Sequence, residues 1–251
     1  MQDTVLFDDF LDQGLITEII RPIRSGKEAD VYLCRATSHL TGGADVAVAK
    51  MLRPRHQRRF RNDAVYLEGR YRKRTSEVKA MEAKHRVGRE LAHGAWIEHE
   101  WTTLRTLHAL GADVPRPIAR SSVGLLMTHV GSEDDSAPQL RRVRLHEEEA
   151  AEALERLLRN VGIFLLHNVI HGDLSAYNVL WWQGTPTIID FPQAIDPRFN
   201  ANAPELLARD VGNLCTFFRR LGVERDADRI ASDLWTGFQF ADLWIDPSPP
   251  A

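Results

Sequence analysis

Three short β-prone runs near the N-terminus, rich in apolar residues, predict three β-strands. The runs cover residues 19–23, 31–34 and 46–51, with turn residues at 25–30 and at Gly42-Gly43 between them. Short β-prone runs separated by such turns are typical of an antiparallel meander. Residues 1–17 predict a short amphipathic helix ahead of the strands, with Leu6, Phe10 and Leu11 on its apolar side.

The spacing of apolar residues becomes helical after a polar segment at residues 53–90. Apolar positions recur every three or four residues over 95–110, which predicts a helix that Gly111 ends as a C-cap. Two further apolar runs, 118–120 and 125–127, predict another pair of strands.

Helical patterns dominate the rest of the chain. The predicted helices cover residues 147–168, 204–221 and 226–240, and a β-hairpin around Gly184 joins 179–182 to 187–189. Because a polar connector with glycine and proline precedes them at 131–139, we divide the chain into an N-lobe of residues 1–130 and a C-lobe of residues 131–251. The order of elements indicates an α+β fold in two lobes, with an antiparallel-sheet N-lobe and a mostly helical C-lobe.

Composition fits a globular protein and narrows its surroundings. An apolar fraction of 43% is sufficient for a sizeable core. The two cysteines, Cys34 and Cys215, lie far apart in sequence and suggest neither a disulfide framework nor a zinc site. The acidic N-terminus is unlike a signal peptide, and no apolar run approaches the ~20 residues of a membrane span. We therefore expect a cytoplasmic protein without a membrane partner.

Charge is distributed unevenly along the chain. Residues 53–89 contain thirteen Lys or Arg and four Asp or Glu, so this basic block carries +9 in a protein whose net charge is −3. One interpretation is electrostatic contact with RNA or the ribosome, and the other is a charged mobile loop. Thr75 and Ser76 within the block are candidate autophosphorylation sites.

The strongest chemical signal is the run His171-Gly172-Asp173-Leu174-Ser175-Ala176-Tyr177-Asn178, followed by a strand that ends at Asp190. Phosphoryl transfer from ATP needs a carboxylate that orients the attacking hydroxyl and accepts its proton, and it needs hard oxygen ligands for Mg²⁺. Asp173 suits the first role, and Asn178 and Asp190 suit the second. The alternative is a loop with an ordinary Asx turn and a buried histidine.

Lys50 is the second signal, since it ends an apolar strand where a cation can reach the α- and β-phosphates. Glu100 lies beside the apolar face of the next helix, and we favour it over Glu98 as the partner of Lys50. The turn at residues 25–30 can cover phosphates with its backbone amides, although its single glycine also fits a plain β-turn.

The spacing H-x-D-x-x-x-x-N, with Ile-Asp twelve residues later, resembles the protein kinases and their small-molecule-kinase relatives. Four features are more specifically similar to the RIO family of atypical serine protein kinases. They are Ser-Gly-Lys-Glu-Ala-Asp-Val-Tyr at 25–32, the basic stretch between Lys50 and Glu100, His171-Gly172-Asp173-Leu174-Ser175 with Asn178, and Ile189-Asp190-Phe191-Pro192-Gln193. The resemblance covers roughly residues 15–240.

The resemblance implies a compact bilobal kinase that uses ATP and Mg²⁺, or Mn²⁺ in its place. It assigns Asp173 as the catalytic aspartate, Asn178 and Asp190 as metal ligands, and Lys50 as the phosphate-binding lysine beside Glu100. The residues implied to line the nucleotide are Ser25, Lys27 and Glu28, together with the hinge backbone from Met127 to Val130. Family members autophosphorylate on serine and are linked to ribosome maturation. Some are thought to act as ATPases, which makes Asp190 a candidate phosphate acceptor.

Other readings stay open beside this resemblance. A small-molecule phosphotransferase of the aminoglycoside- or choline-kinase type shares the H-G-D and I-D patterns, and a non-catalytic assembly factor would use the nucleotide as a switch. Asp210 either hydrogen-bonds to the catalytic-loop backbone or is an exposed helical residue. His171 is expected to steady the catalytic loop. We expect neither an additional N-terminal domain nor a long C-terminal tail, because the kinase-like pattern fills nearly the whole chain.

Overall fold

The computed structural model describes residues 4–26, 29–53, 86–241 and 243. Their contacts form two compact units, which consist of residues 4–26, 29–53, 86–105 and 115–136, and of residues 106–114, 137–241 and 243. Lys27, Glu28 and the part of the basic block at 54–85, with Thr75 and Ser76, lie outside the described residues. No helix in the described part of the chain is long and apolar enough to cross a membrane.

The first unit is built on a five-stranded sheet in which all neighbouring strands are antiparallel. Its strands are β1 (Ile16–Ser25), β2 (Ala29–Ala36), β3 (Val46–Leu52), β4 (Pro117–Arg120) and β5 (Gly124–Thr128), in the order β1-β2-β3-β5-β4. This arrangement confirms the predicted meander and the predicted later pair of strands. The short helix α2 (Ser38–Thr41) lies between β2 and β3.

A short helical segment covers the core of this sheet. It consists of a 3₁₀ turn at Thr4–Phe7 and helix α1 at Asp8–Asp12. Phe7 and Phe10 are fully buried, and the Phe7 ring meets Tyr32 edge to face at 5.1 Å between centroids. The predicted helix over 1–17 is therefore too long, and Leu6 is 41% exposed although it was placed on the apolar side. The first strand instead begins at Ile16, inside the predicted helix.

Helix α3 (Arg86–Ala109) also belongs mainly to the first unit and begins nine residues before the predicted start at residue 95. The predicted apolar face is present, because Ile97, Leu104 and Leu107 are buried. Gly111 adopts φ 74° just after the helix, as expected for a C-cap glycine.

The second unit is mostly helical. Its elements are a 3₁₀ turn at Leu140–Arg142, α4 (Glu147–Leu166), α5 (Ala203–Arg219), α6 (Ala227–Gln239), β6 (Val179–Trp182) and β7 (Thr185–Ile188). Strands β6 and β7 form the predicted hairpin, with its turn at Gln183 and Gly184, whose φ angles are 48° and 76°. Two consecutive positive φ angles are typical of a type I′ turn, which matches the twist of the flanking strands.

Residues 106–114 pack with the second unit because Asp113 anchors them there. The Asp113 carboxylate accepts two hydrogen bonds from Arg156, at 2.8 and 2.7 Å, and one from Asn160 at 2.7 Å. Its backbone N–H donates to Asn160 Oδ1 at 2.7 Å, and its carbonyl accepts from the Ile188 N–H at 2.7 Å.

The division into lobes at 1–130 and 131–251 stays a prediction.

Candidate active site

In the first unit, Lys50 and Glu100 form a buried ion pair. Lys50 Nζ lies 2.5 Å from Glu100 Oε1, and the two residues are 9% and 1% exposed. Lys50 is placed on β3, a buried strand paired with β2 and β5, while Glu100 projects from α3. The pairing expected from the sequence is thus present. The competitor Glu98 instead lies 2.8 Å from Arg120 on the surface.

Three side chains close the base of the polar turn between β1 and β2. Ser25 Oγ donates to Asp30 Oδ1 at 2.7 Å, and Arg53 donates to both Asp30 oxygens at 2.8 and 2.6 Å. Arg53 Nη2 also donates to Ser25 Oγ at 2.8 Å. The hydrogen bonds from Arg53 hold the pKa of Asp30 below its ordinary value. Arg53 was not among the predicted site residues, since it lies 23 residues from Asp30 in sequence.

In the second unit, Asn178 is bound to Asp173, five residues earlier in the loop. Asn178 Nδ2 donates to the Asp173 carbonyl at 2.9 Å and to the Asp173 Oδ2 atom at 3.3 Å. The amide N–H groups of Asn178 are therefore directed toward Asp173. Among the described residues, no hydrogen bond engages the Asn178 Oδ1 atom, so this oxygen is available to a metal ion.

The carboxyl group of Asp173 has a raised pKa, although the residue as a whole is exposed. Partial desolvation is the largest cause, and the negative charge of Asp190 acts in the same direction. The positive charge of Arg209 and the hydrogen bond from Asn178 oppose the shift. A raised pKa makes Asp173 a better proton acceptor than an ordinary surface aspartate.

His171 connects the loop that holds Asp173 to the segment that ends at Asp190. Its Nε2 atom lies 3.1 Å from the Ile189 carbonyl, and its Nδ1 atom accepts from the Asp173 N–H at 3.3 Å. The ring also packs against fully buried Phe191, with 4.7 Å between ring centroids. These contacts support the expected steadying role.

Asp190 adopts φ 74°, a left-handed conformation that is uncommon for residues other than glycine and typical of functional sites.

Helix α5 binds the backbone on both sides of Asp173. Asp210 accepts from the N–H groups of Gly172 and Leu174 at 2.7 and 2.9 Å, which confirms the first of its two predicted placements. Arg209 donates to the Gly172 carbonyl, and Asn213 Nδ2 donates to the Leu174 carbonyl at 3.0 Å. Burial raises the pKa of Asp210 to about 7, against the opposing effect of its two backbone N–H bonds. Sequence analysis missed Arg209 and Asn213, because nothing local links them to a loop some 37 residues away.

The residues of the second unit fit a magnesium ion better than a zinc ion. The described residues contain no cluster of three or more His, Cys, Asp or Glu side chains that could enclose a metal. Mg²⁺ needs few protein ligands, since it keeps several waters and binds substrate phosphates. The amide oxygen of Asn178 and the carboxylate of Asp190 are oxygen ligands of the kind it prefers.

The predicted hinge residues, Met127 to Val130, begin within the last two residues of the buried strand β5 in the first unit. Met127 is 8% exposed, and the neighbouring Thr128 Oγ1 accepts from the Arg116 N–H at 2.9 Å. Val130 is half-buried, and His129 Nε2 lies 3.0 Å from Ser136 Oγ. The roles of Ser25, Met127 and Val130 in ATP binding stay predictions, as do the catalytic roles of the residues above.

Protein kinases transfer a phosphoryl group with a paired lysine that binds phosphates, an aspartate that takes the hydroxyl proton, and oxygen ligands for the metal. Side chains of each of these kinds occur among the residues described above. The antiparallel-sheet unit, the helical unit and these residues therefore define the class: a bilobal, protein-kinase-like phosphotransferase.

Comparison with known proteins identifies the family. The model of the RIO domain matches residues 45–230. The chain is 34% identical over 223 residues to the RIO-type serine/threonine-protein kinase Rio1 of Haloferax volcanii, covering 88% of this chain and 70% of that protein. It is 29% identical to the serine/threonine-protein kinase RIO1 of Chaetomium thermophilum, covering 88% of this chain and 43% of the longer relative. The chain belongs to the RIO family of serine/threonine kinases.

The fold agrees with solved structures. The Rio2 kinase of Chaetomium thermophilum, in a crystal structure of its complex with ADP, Mg²⁺ and phosphoaspartate, superposes with a TM-score of 0.63. The sequence identity is 22%, and the match covers 91% of this chain and 66% of that chain. The predicted fold class is thus confirmed. The alternative of a small-molecule phosphotransferase is not favoured, because the relatives at about 30% identity are named protein kinases.

Proposed function

We propose that this protein transfers the γ-phosphoryl group of ATP to a serine or threonine hydroxyl of a protein, with Mg²⁺ as the metal. The observation that carries the proposal is the contact between Asn178 and Asp173. It ties the residue that would accept a proton to a residue whose free amide oxygen would hold the metal. Such coupling is what phosphoryl transfer requires and what an ordinary Asx turn does not explain.

Each residue then has a defined task. Asp173 orients the acceptor hydroxyl and takes its proton while the new O–P bond forms and the bond from the γ-phosphorus to the ADP oxygen breaks. Lys50, fixed by Glu100, binds the α- and β-phosphates. Asn178 and Asp190 would hold Mg²⁺, which neutralises charge on the phosphates when bound. The turn at residues 25–30, of which Lys27 and Glu28 lie outside the described residues, would cover the phosphates with its backbone amides.

Helix α5 keeps the loop in position during this reaction. Three of its side chains, Arg209, Asp210 and Asn213, bind the N–H and carbonyl groups of the residues on either side of Asp173. Because a misplacement of about 1 Å can cost ~10²-fold in rate, we infer that these contacts contribute to catalysis through geometry.

A second activity, ATP hydrolysis through a phosphorylated aspartate, is favoured by one observation. The structural neighbour from Chaetomium thermophilum is described as a complex with ADP, Mg²⁺ and phosphoaspartate. In this chain Asp190 is the corresponding candidate. Its carboxylate oxygen would attack the γ-phosphorus, ADP would leave, and water would later cleave the acyl phosphate. The unusual left-handed backbone of Asp190 is consistent with a specialised role.

The deciding experiment uses γ-labelled ATP with Mg²⁺, Mn²⁺ or EDTA, and compares the wild type with Asp173→Asn, Asp190→Asn and Lys50→Met. We expect the wild-type protein to acquire an acid-stable label that depends on the metal. This label should be absent from the Asp173→Asn and Lys50→Met variants. Arg220→Gln, which changes an exposed residue at the end of α5, serves as the control. Alkali-labile label that disappears in Asp190→Asn would assign the aspartyl-phosphate route. The proposed function is refuted if the protein neither binds nor turns over ATP in the presence of Mg²⁺ or Mn²⁺.

We propose that this chain is itself one protein acceptor, and label on the chain in the same experiment would reveal such autophosphorylation. Contact with RNA or the ribosome through residues 53–89 stays a prediction that binding to a labelled RNA at two salt concentrations can check, because phosphate contacts weaken as salt rises.

A further inference from the structure

Tyr177 is a large exposed side chain in the loop that contains Asp173. It follows Asp173 by four residues, directly precedes Asn178, and is 55% exposed. The reaction described above gives this ring no task. An exposed aromatic side chain next to a reacting group is a common contact for a partner.

Neighbouring residues hold the Tyr177 ring and an arginine together. The guanidinium carbon of Arg141 lies 4.4 Å from the centre of the Tyr177 ring, a cation–π contact. Arg141 Nε donates to Gln139 Oε1 at 3.1 Å, and Gln139 Nε2 donates to the Tyr177 carbonyl at 2.5 Å. The Arg141 backbone N–H donates to the Ala176 carbonyl at 3.2 Å. We call Gln139, Arg141 and Tyr177 the Arg–Tyr platform.

These contacts make the platform preorganised. Both backbone and side-chain bonds tie residues 139–141 to residues 176–177, so a partner that binds there need not order a flexible loop. The terminal Nη groups of Arg141 donate no hydrogen bond within the described part of the chain, which leaves them able to donate to solvent or to a ligand.

The segment that carries the platform is rich in arginine, and three exposed glutamates follow it at Glu147–Glu149, the start of α4. Residues 139–146 contain three arginines and no acidic residue, and Arg141, Arg142 and Arg144 are all exposed. At the other end of the same loop, Arg209 binds the Gly172 carbonyl. Arginines therefore contact the loop that contains Asp173 at both ends, Arg209 at Gly172 and Arg141 at Tyr177.

We propose that the Arg–Tyr platform binds an acidic peptide segment next to the acceptor serine, so that the enzyme selects serines flanked by Glu or Asp. This inference rests on the proposed kinase function and specifies its substrate class. A carboxylate meets the free Nη groups of Arg141 in the fork geometry that guanidinium groups favour. The Tyr177 ring fixes the orientation of that fork.

Single-stranded RNA is the less suitable occupant. Proteins that bind single strands stack successive bases on several aromatic rings. The platform offers one ring, and one of its faces already carries the Arg141 guanidinium. The single carboxylate-sized site fits a peptide side chain better than a run of bases.

The test compares two synthetic peptides with the same central serine, one flanked by glutamate and the other by glutamine, as acceptors for this protein with ATP and Mg²⁺. The wild type should show the lower KM for the glutamate peptide. Arg141→Gln should raise that KM about three- to tenfold, the usual range for one charge-assisted contact, with kcat and the glutamine-peptide KM little changed. Tyr177→Leu should act in the same direction, and Tyr177→Phe, which keeps the ring, should act less.

Arg220→Gln is the matched control, since it removes another exposed arginine of the same unit and should leave the preference unchanged. Equal KM values for the two peptides in the wild type, or an equal rise for both in Arg141→Gln, would overturn the inference. Competition by a single-stranded RNA that depends on Arg141 would overturn it in favour of nucleic acid. An enzyme that turns over ATP but labels neither peptide refutes this inference alone, whereas no ATP turnover refutes the proposed function as well.

Discussion

The ion pair between Lys50 and Glu100 can separate stability from catalysis, because its two members respond differently to removal. Glu100 is 1% exposed, so Lys50→Met leaves a carboxylate in the interior without the Lys50 ammonium. Breaking a buried ion pair from one side typically costs about 3–5 kcal/mol in the free energy of unfolding. We expect Lys50→Met to fall in this range and to abolish phosphoryl transfer.

The double variant Lys50→Met/Glu100→Leu removes both charges and replaces them with apolar groups of similar size. Ile97 and Leu104, on either side of Glu100 along α3, are themselves buried, so a leucine at this position has apolar neighbours. Replacing a whole buried pair in this way is often neutral or stabilising. The double variant should therefore recover to within about 1 kcal/mol of the wild type while remaining inactive.

Urea unfolding followed by circular dichroism measures the free energy of unfolding, and transfer from γ-labelled ATP measures the phosphoryl-transfer activity. Glu98→Ala supplies a control on the same helix, since its partner Arg120 is exposed and a surface pair contributes below about 1 kcal/mol. The reasoning is wrong if Lys50→Met costs no more than this control, or if the double variant is as unstable as the single one. Recovered activity in the double variant would refute the phosphate-binding role of Lys50.

Three further predictions concern other contacts. Gly124→Ala should cost about 1–3 kcal/mol and lower activity, because its Cβ would lie 2.7 Å from the Lys50 carbonyl, whereas Gly94→Ala on open helix surface should be neutral or stabilising by urea unfolding. Asp113→Asn should cost about 2–3 kcal/mol in the same assay, since it weakens the two-fold contact with partly buried Arg156, and Arg225→Gln, which breaks an exposed pair, should cost less. Burial lowers the pKa of His129, with Arg21 acting in the same direction and Asp135 opposing it. The folded state thus binds fewer protons at this site, so stability is present above the ordinary pKa of 6.5 and is lost as pH falls through the lowered value; His129→Gln should flatten the unfolding free energy between about pH 7 and 5.

Periodicity was sufficient to predict the elements that carry the candidate site. The apolar run that places Lys50 near the end of a buried strand and the helical face that favours Glu100 over Glu98 are both local patterns. The same reasoning failed at the N-terminus, where Phe7 rather than Leu6 enters the core. A 3₁₀ turn at Thr4–Phe7 precedes the α-helix here, and this change of helix type decides which of two neighbouring side chains is buried. The spacing of apolar residues does not predict where such a change occurs.

Contacts between distant segments could not be predicted in this way. Arg53 meets Asp30, Arg156 meets Asp113, and Arg141 covers Tyr177, yet each pair joins segments that are adjacent only after folding. Charged residues at such separations look like ordinary surface positions in a sequence. Only the tertiary structure shows which of them share a carboxylate or a ring.

The conformation of the loop that contains Asp173 depends on helix α5 as well as on the sequence of the loop itself. Burying the Asp210 carboxylate is unfavourable, and its pKa of about 7 expresses that cost. A helix selected only for stability would place an apolar residue at this buried position. The carboxylate is retained with two backbone N–H bonds, and Arg209 and Asn213 add bonds to the adjoining carbonyls. We infer that the fold accepts this local cost because the geometry around Asp173 depends on it, so substitutions in α5 should reduce catalysis more than they reduce stability.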